Sequence, residues 1–302
     1  MRIFVIKMNT KMTKVNGLNI RYLDIPNEGK ETIILLPYGG ALIGMWNGVI
    51  PYLKKDYRIL TLDMRCHGFS DKPNECHIDD MASDIAALMK QLGIEKAYIV
   101  GSSLGADAAI SFAANYPEKA IAMVLDGGLY DLVGPDSKDQ ILTEEAIDKA
   151  RKELKEIILE KPVKLYDSKE DCLEYFKEAW KNEGVSWSEV LRIQAEDQIF
   201  ETKEGKFRTP QEGKISWNFI WPLYDIRFQE YFDKITCPIL WLPDEAEAPN
   251  EIVQRNLKKY SEKLKYHKIV TIEGSVHAYT AILKPEDFSK ETLTFIEEVK
   301  QL

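Results

Sequence analysis

Two serines share one glycine-framed turn, "GSSLG", at residues 101–105. The frame fits the pattern G-x-S-x-G with Ser103 at its centre, follows the apolar run "AYIVG" and opens an alanine-rich segment. A strand that turns at once into a helix lifts the central hydroxyl to the carboxyl end of a sheet, and flanking glycines permit so sharp a turn. We therefore predict that Ser103 is a nucleophile, and that the N–H groups at the new helix terminus face a developing oxyanion.

A serine hydroxyl needs a base, and the chain has four histidines. His277, in "TIEGSVHAYT", follows the last predicted strand and precedes the last predicted helix. That position predicts a loop at the carboxyl end of the sheet, where an imidazole could take a proton from Ser103.

The third group, a carboxylate that orients the imidazole, is not unique in the sequence. Asp244, Glu245 and Glu247 follow the predicted strand "PILWL", and Asp126 ends an earlier one. Each of them keeps the chain order serine, acid, histidine, so the choice among them stays open.

The elements that must position these groups are visible as short apolar runs separated by segments of helical periodicity. A mostly parallel sheet is predicted from six runs, at 32–36, 58–63, 97–101, 120–126, 238–242 and 268–272. Met81 to Leu92 and Val253 to Leu264 repeat apolar residues at helical spacing and predict crossover helices. Asn16-Gly17 lies between alternating runs and predicts a hairpin at the sheet edge.

The alternation stops after residue 129 and returns near residue 235. We interpret residues 1–129 and 234–302 as one α/β core and residues 130–233 as an inserted helical cap. About the first eleven residues are expected to be an extension of the core.

Composition limits the classes of function. The 302 residues are 45% hydrophobic and 29% charged with a net charge of −9, which is typical of a folded soluble chain. Without a basic stripe, neither nucleic acid nor an anionic membrane is an expected partner. Four cysteines without metal-ligand spacing predict reduced thiols and no metal site, and the short apolar run at the start predicts a cytoplasmic location.

Four motifs in order resemble the α/β-hydrolase superfamily, in its esterase-like branch with a cap domain. They are "IILLPYGGALIGMW", "DMRCHGFSDKP", "GSSLGA" and "GSVHAYTAILKPEDF". The resemblance implies a serine hydrolase that cleaves a carboxylic ester, a lactone or bulky ester included, through an acyl-serine intermediate and without a cofactor. Amidase, peptidase or C–C bond hydrolase activity, or low-turnover ligand binding, remain alternatives.

The resemblance also implies roles for particular residues. Counting along the family pattern from Pro238 puts the acid at Glu247, with Asp126 as the alternative. The oxyanion donors would be the N–H of Leu104 and that of Gly39 or Gly40. A small-molecule ester would be bound by residues near the elbow and in the cap, namely Tyr38, Trp217, Trp221 and Tyr224.

Overall fold

A computed structural model describes residues 9–139, 141–160, 162–182, 185–210 and 212–302. The start of the predicted N-terminal extension therefore lies outside the described residues. Ten strands are present in the described chain: β1 (Lys11–Val15), β2 (Leu18–Ile25), β3 (Thr32–Leu36), β4 (Arg58–Leu62), β5 (Ala97–Ser102), β6 (Ala120–Asp126), β7 (Phe200–Glu201), β8 (Phe207–Arg208), β9 (Ile239–Trp241) and β10 (His267–Ile269).

Eight of these strands form the central sheet, in the order β1-β2-β4-β3-β5-β6-β9-β10. β1 pairs antiparallel with β2, and β2 pairs antiparallel with β4, whereas every other neighbouring pair is parallel. The predicted hairpin is confirmed: Asn16 and Gly17 have φ values of 48° and 85°, as a two-residue turn with left-handed central residues requires. The predicted mostly parallel sheet is confirmed as well.

Eleven α-helices flank or follow the strands within the described residues: α1 (Ile50–Leu53), α2 (Ile78–Gln91), α3 (Leu104–Asn115), α4 (Glu144–Leu159), α5 (Lys169–Asn182), α6 (Glu189–Asp197), α7 (Gly213–Ile220), α8 (Phe228–Phe232), α9 (Glu251–Ser261), α10 (Thr280–Leu283) and α11 (Pro285–Val299). Two 3₁₀ segments, Ile43–Gly48 and Trp221–Asp225, complete the helical elements described.

The core lies on both faces of the sheet. In β3 every residue is buried, and Ile34 and Leu36 belong to the core cluster on one face, which also holds residues of α2, α3 and α9. Ile33 and Leu35 belong to the core cluster on the other face, with residues of α1 and α11. A strand covered on both faces reads as an unbroken apolar run, which explains the sequence "TIILL".

Between β6 and β9, the described residues hold α4 to α8 and a two-stranded hairpin of β7 and β8, and none joins the central sheet. An ion pair ties this segment to the sheet, because Arg21 of β2 lies 2.7 Å from Asp197 at the end of α6. The second carboxylate oxygen of Asp197 accepts the N–H of Gly44 at 3.0 Å. The predicted cap, residues 130–233, spans this segment, and its separation from the core as a domain stays a prediction.

Cys66 and Cys76 form a disulfide. The expectation of reduced thiols is therefore wrong at these two positions, whereas Cys172 and Cys237 are free. The loop after β4 folds back so that the two Cα atoms lie 6.5 Å apart, within the range that a disulfide spans. Sequence spacing alone does not reveal such a loop closure.

Within the described residues, no helix has both the length and the apolar character that crossing a bilayer requires.

Candidate active site

Ser103 occupies the turn between β5 and α3. Its φ of 48° and ψ of −119° are unusual for a residue with a side chain, and such strain typically costs about 1–3 kcal/mol. The backbone holds it in place, because its N–H donates to the Asp126 carbonyl at 2.7 Å. The flanking glycines are required by space: a Cβ on Gly101 would collide with the Gly105 backbone, and a Cβ on Gly105 with the Leu36 carbonyl.

A chain of two hydrogen bonds leads away from the serine. Ser103 Oγ lies 3.2 Å from His277 Nε2, and His277 Nδ1 lies 2.9 Å from Glu247 Oε1. The three residues come from loops that follow β5, β10 and β9, since parallel strands release their connections at one edge of a sheet. A neutral imidazole in this position, with no proton on Nε2, can accept the serine proton.

The surroundings of Glu247 favour its ionised form. Its side chain is only 3% exposed, its Oε2 accepts the N–H of Asp244 at 3.3 Å, and Tyr130 donates its hydroxyl to Oε1 at 3.3 Å. Burial opposes ionisation, but the hydrogen bond and charge of His277 outweigh it and lower the pKa of Glu247. Burial likewise opposes the imidazolium, yet the hydrogen bond and charge of Glu247 raise the pKa of His277.

Asp126, the alternative acid, has other partners. Ser102 donates to its Oδ2 at 2.9 Å and Thr280 donates to its Oδ1 at 3.3 Å. Burial raises the pKa of Asp126, and the Ser102 hydrogen bond offsets only part of that rise. The structure thus joins Glu247 to His277 by a hydrogen bond, while Asp126 bonds to the neighbouring hydroxyls.

Two backbone N–H groups border the same space as Ser103. Leu104 is the first residue of α3, so no helix carbonyl precedes it by one turn to accept its N–H. Gly39 lines the same cavity, and a Cβ placed on it would lie 3.6 Å from the Leu104 Cβ. Gly40, with a φ of 90°, lies within the turn that Ala41 N closes on the Tyr38 carbonyl at 2.9 Å, and it is absent from the cavity wall described. The geometry therefore favours Gly39 over Gly40 as the second donor.

The serine opens into a cavity of about 360 Å³. One wall is apolar and comes from the segment between β6 and β9 together with the elbow helix. It consists of Leu104, Leu129, Leu132, Phe219, Ile220, Leu223, Ile226 and Phe228. Tyr38 and Tyr279 form another part of the wall, their rings edge to face at 5.5 Å.

Comparison with known proteins agrees with the fold. A family model described as "alpha/beta hydrolase fold" matches residues 32–168. The crystal structure of E-2-(acetamidomethylene)succinate hydrolase superposes with a TM-score of 0.75 at 20% identity, covering 96% of this chain and 99% of that one. The enol-lactonase from Burkholderia xenovorans LB400 gives a TM-score of 0.66 at 18% identity, covering 95% and 100%. The chain has the α/β-hydrolase fold.

Sequence relatives are similar to this chain over a shorter stretch. A 2-hydroxy-6-oxononadienedioate/2-hydroxy-6-oxononatrienedioate hydrolase of Comamonas testosteroni is 34% identical over 115 residues, which is 35% of this chain and 39% of the relative. The aligned stretches span less than half of the length of the first curated relatives. These comparisons therefore show the fold and leave the activity and the substrate to be proposed.

Three of the predicted substrate-binding residues are not part of the cavity wall. Trp217, Trp221 and Tyr224 recur at helical spacing and form a stripe that contacts other partners: Lys155 lies over the Trp217 ring, His77 against Trp221 and Arg151 over Tyr224. The stripe that lines the cavity is displaced by two residues and consists of Phe219, Leu223 and Ile226. Within α7, two positions correspond to about 200° around the helix, so Trp217 and Phe219 face nearly opposite ways. Tyr38, the fourth predicted residue, does line the cavity.

Three polar residues of the site were not singled out from the sequence. Tyr130 donates to Glu247, and the carboxyls of Asp107 and Asp131 line the cavity. Asp107 could have been found, because it is the fourth residue after Ser103 and such residues share one helix face. Asp131 follows β6 by five residues and carried no comparable signal.

Asp244, Glu247 and His277 have ligand atoms within 4.8 Å of one another and are the one cluster of this kind in the described chain. These ligand atoms already take part in hydrogen bonds, since Asp244 Oδ1 accepts the N–H groups of Ala246 and Glu247 at 2.7 Å each. A metal ion would have to displace the hydrogen bond between Glu247 and His277. We therefore interpret the cluster as the support of a protonatable histidine.

Proposed function

We propose that this α/β hydrolase cleaves carboxylic esters, lactones included, through an acyl intermediate on Ser103. The observation that carries the proposal is the hydrogen-bonded series Ser103, His277 and Glu247 at the wall of a cavity that two free backbone N–H groups also border. A small-molecule ester is the proposed partner, and the reaction requires no metal or organic cofactor. A cytoplasmic location stays a prediction.

In the proposed reaction, His277 Nε2 takes the proton as Ser103 Oγ attacks the ester carbonyl. The tetrahedral oxyanion accepts hydrogen bonds from the N–H groups of Leu104 and Gly39, and losing one such donor typically costs about 2.7–4 kcal/mol. The imidazolium, stabilised by Glu247, then protonates the leaving alcohol. A water molecule activated by His277 hydrolyses the acyl-serine and restores the free enzyme.

The apolar wall supports substrates with an uncharged acyl or alcohol part of moderate size. A cavity of about 360 Å³ lies at the small end of the range usual for small-molecule sites. Phe219, Leu223 and Ile226 of the cap segment form much of that wall.

The proposal is tested with p-nitrophenyl butanoate and three proteins. The native chain should release p-nitrophenol in a burst equal to the enzyme concentration, because p-nitrophenolate is a good leaving group and acylation is then faster than deacylation. Ser103→Ala should reduce turnover by about 10⁴-fold or more. Ser289→Ala, a buried serine of α11 that bonds the Pro285 carbonyl, is the matched control and should keep the native rate. Full activity in Ser103→Ala would overturn the nucleophile assignment.

A second candidate is C–C bond hydrolysis, because the Comamonas relative bears the name of a hydrolase of an oxo-dienedioate. A substrate of that kind is a dianion. In this chain the carboxyls of Asp107 and Asp131 line the cavity and would repel it. Ester hydrolysis is therefore preferred. Hydrolysis of such a dienedioate faster than any ester would reverse the preference, and turnover of amides but not esters would favour the amidase alternative.

A further inference from the structure

The cavity holds a carboxyl group that the proposed reaction does not use. Asp107 lies one helical turn after Ser103, and its backbone N–H donates to the Ser103 carbonyl at 3.0 Å. Its side chain lines the cavity and has neither a hydrogen bond nor an ion pair within the described part of the chain. A buried carboxyl without a counter-charge is held partly in its neutral form, and a cationic ligand beside it would favour the ionised form.

A second carboxyl faces the same space. Asp131 follows β6, is 3% exposed and accepts the Phe228 N–H at 3.0 Å through Oδ1. Burial raises the pKa of Asp107 to about 7 and that of Asp131 to about 6, and each shift is increased by another carboxylate, Asp131 in the case of Asp107. Two neighbouring acids thus share one poorly solvated region.

The cavity wall offers few basic side chains that could pair with Asp107 and Asp131. Apart from His277, no cationic residue lines the cavity in the described chain. Arg227 acts on Asp131 electrostatically, but its Nη1 donates to the carbonyls of Tyr224 and Ile226, at 3.0 and 2.6 Å. Lys138 Nζ lies 5.4 Å from the centre of the Tyr130 ring. A cation that enters the cavity would therefore meet two carboxyls and, apart from His277, no competing basic side chain on the wall of the described chain.

The geometry points to a substrate class. We propose that the cavity selects esters that carry a protonated or quaternary amine roughly 5–6 Å from the scissile carbonyl, the separation of side chains one helical turn apart. Asp107 meets the cation directly and Asp131 adds to the attraction. The aromatic wall is compatible with this occupant, since Phe219 and Phe228 present rings that attract cations. This inference rests on the proposed ester hydrolysis.

Two matched pairs of esters test the proposal. On the alcohol side, butanoylcholine is compared with the ester in which a tert-butyl group replaces the trimethylammonium group. On the acyl side, the same replacement is made at the end of a butanoyl chain esterified to p-nitrophenol. The native chain should prefer the cationic member of at least one pair by 10-fold or more in kcat/KM. An anionic counterpart, with a carboxylate in place of the cation, should be the poorest substrate.

Within each variant, the ratio of kcat/KM for the cationic ester to kcat/KM for its uncharged counterpart separates recognition of the cation from catalysis. Asp107 also lies close enough to His277 to affect the imidazole, but that effect changes both members of a pair alike and cancels in the ratio. Asp107→Asn should lower the preference to within 2-fold of unity, and Asp131→Asn should lower it by a smaller factor. Glu118→Gln removes one negative charge from an exposed position just after α3 and should leave the preference unchanged.

Binding to Ser103→Ala, measured by calorimetry with butanoylcholine and its uncharged counterpart, separates this inference from the proposed function. Tighter binding of the cation without turnover of any ester by the native chain would refute the hydrolase proposal and support the cation site. Turnover with equal kcat/KM and equal binding for both members of each pair would overturn the cation site and leave the hydrolase proposal standing. Preservation of the preference in Asp107→Asn would overturn the role given to Asp107.

Discussion

Replacing Glu247 by glutamine changes one atom in the proposed proton path and reverses its hydrogen-bonding direction. Glu247 Oε2 accepts the Asp244 N–H, so the glutamine oxygen should keep that bond at 3.3 Å and its NH₂ group should face His277 Nδ1. An NH₂ donor there requires Nδ1 to be unprotonated so that it can accept the hydrogen bond. The proton of the neutral imidazole then lies on Nε2. The tautomer that could accept a proton from Ser103 is then disfavoured.

The size of the effect follows from the lost charge. Opposite unit charges about 4 Å apart attract by about 4 kcal/mol at an effective dielectric constant of 20, so the imidazolium loses that stabilisation in the transition state. A loss of about 4 kcal/mol corresponds to about 10³-fold in rate, and the wrong tautomer can extend the loss to about 10⁴-fold. We expect Glu247→Gln to lower kcat for p-nitrophenyl butanoate by about 10³–10⁴-fold with little change in KM.

Asp126→Asn is the decisive comparison. Ser102 and Thr280 both donate to Asp126, and an amide there would turn its NH₂ group towards one of these hydroxyls. That hydroxyl can rotate to accept the new N–H, because Ser102 also reaches the Ala278 carbonyl at 3.3 Å and Thr280 the Val276 carbonyl at 3.4 Å, so the variant should fold. The rate of the folded variant should fall less than 10-fold. If Asp126→Asn instead loses 10³-fold while Glu247→Gln stays within 10-fold of the native rate, the acid has been assigned to the wrong residue.

Three further results are expected. Because His277 acts as a base only when neutral and its pKa is raised above 6.5, kcat/KM should rise with pH through a midpoint above 6.5. In Glu247→Gln that midpoint should move to lower pH, since the group that raises it is lost. Cys76→Ser opens the disulfide and should lower the free energy of unfolding in guanidinium by about 2–3 kcal/mol, as expected for a loop of this length. Gly105→Ala should destabilise the fold by about 3 kcal/mol because its Cβ meets the Leu36 backbone. Gly93→Ala, left-handed but in open space, should cost about 1–2 kcal/mol.

Each of these results has a contrary outcome. An unchanged midpoint in Glu247→Gln would mean that the carboxylate does not act on His277. Alkylation of all four cysteines in the unreduced, denatured native chain would rule out the disulfide. Equal stability losses in the two glycine variants would show that the elbow has room for a side chain.

The fold was largely predictable because its signals are local. Runs such as "TIILL" are apolar throughout since both faces of the sheet are covered, and β3 begins and ends where the run does. β10 was harder: the run 268–272 was predicted, but only residues 267–269 pair with β9 at the edge of the sheet. Pairing at an edge depends on the neighbouring strand, which a single run does not reveal.

The geometry around Ser103 and His277 was accessible because chain order and loop position constrain both residues. The residues alone left the acid open, because Asp244 and Glu247 lie in one loop and only its folding decides which carboxylate reaches the imidazole. Counting along the family pattern selected Glu247, and the structure brings Glu247 Oε1 within 2.9 Å of His277 Nδ1. Asp244 caps its own loop through Ala246 and Glu247 N–H groups, leaving the longer side chain to contact His277. In the cap segment, sequence periodicity does not show whether the side of Trp217 or the side of Phe219 faces the cavity. That choice depends on how the segment packs against the sheet.

The identity of the nucleophile is tested most directly by mass spectrometry of the chain after reaction with a fluorophosphonate ester. The account predicts a single phosphonyl group, located on Ser103 by peptide mapping, absent in Ser103→Ala and formed much more slowly in His277→Ala. A label on another residue with Ser103 unmodified, or full labelling and full esterase activity in Ser103→Ala, would contradict it.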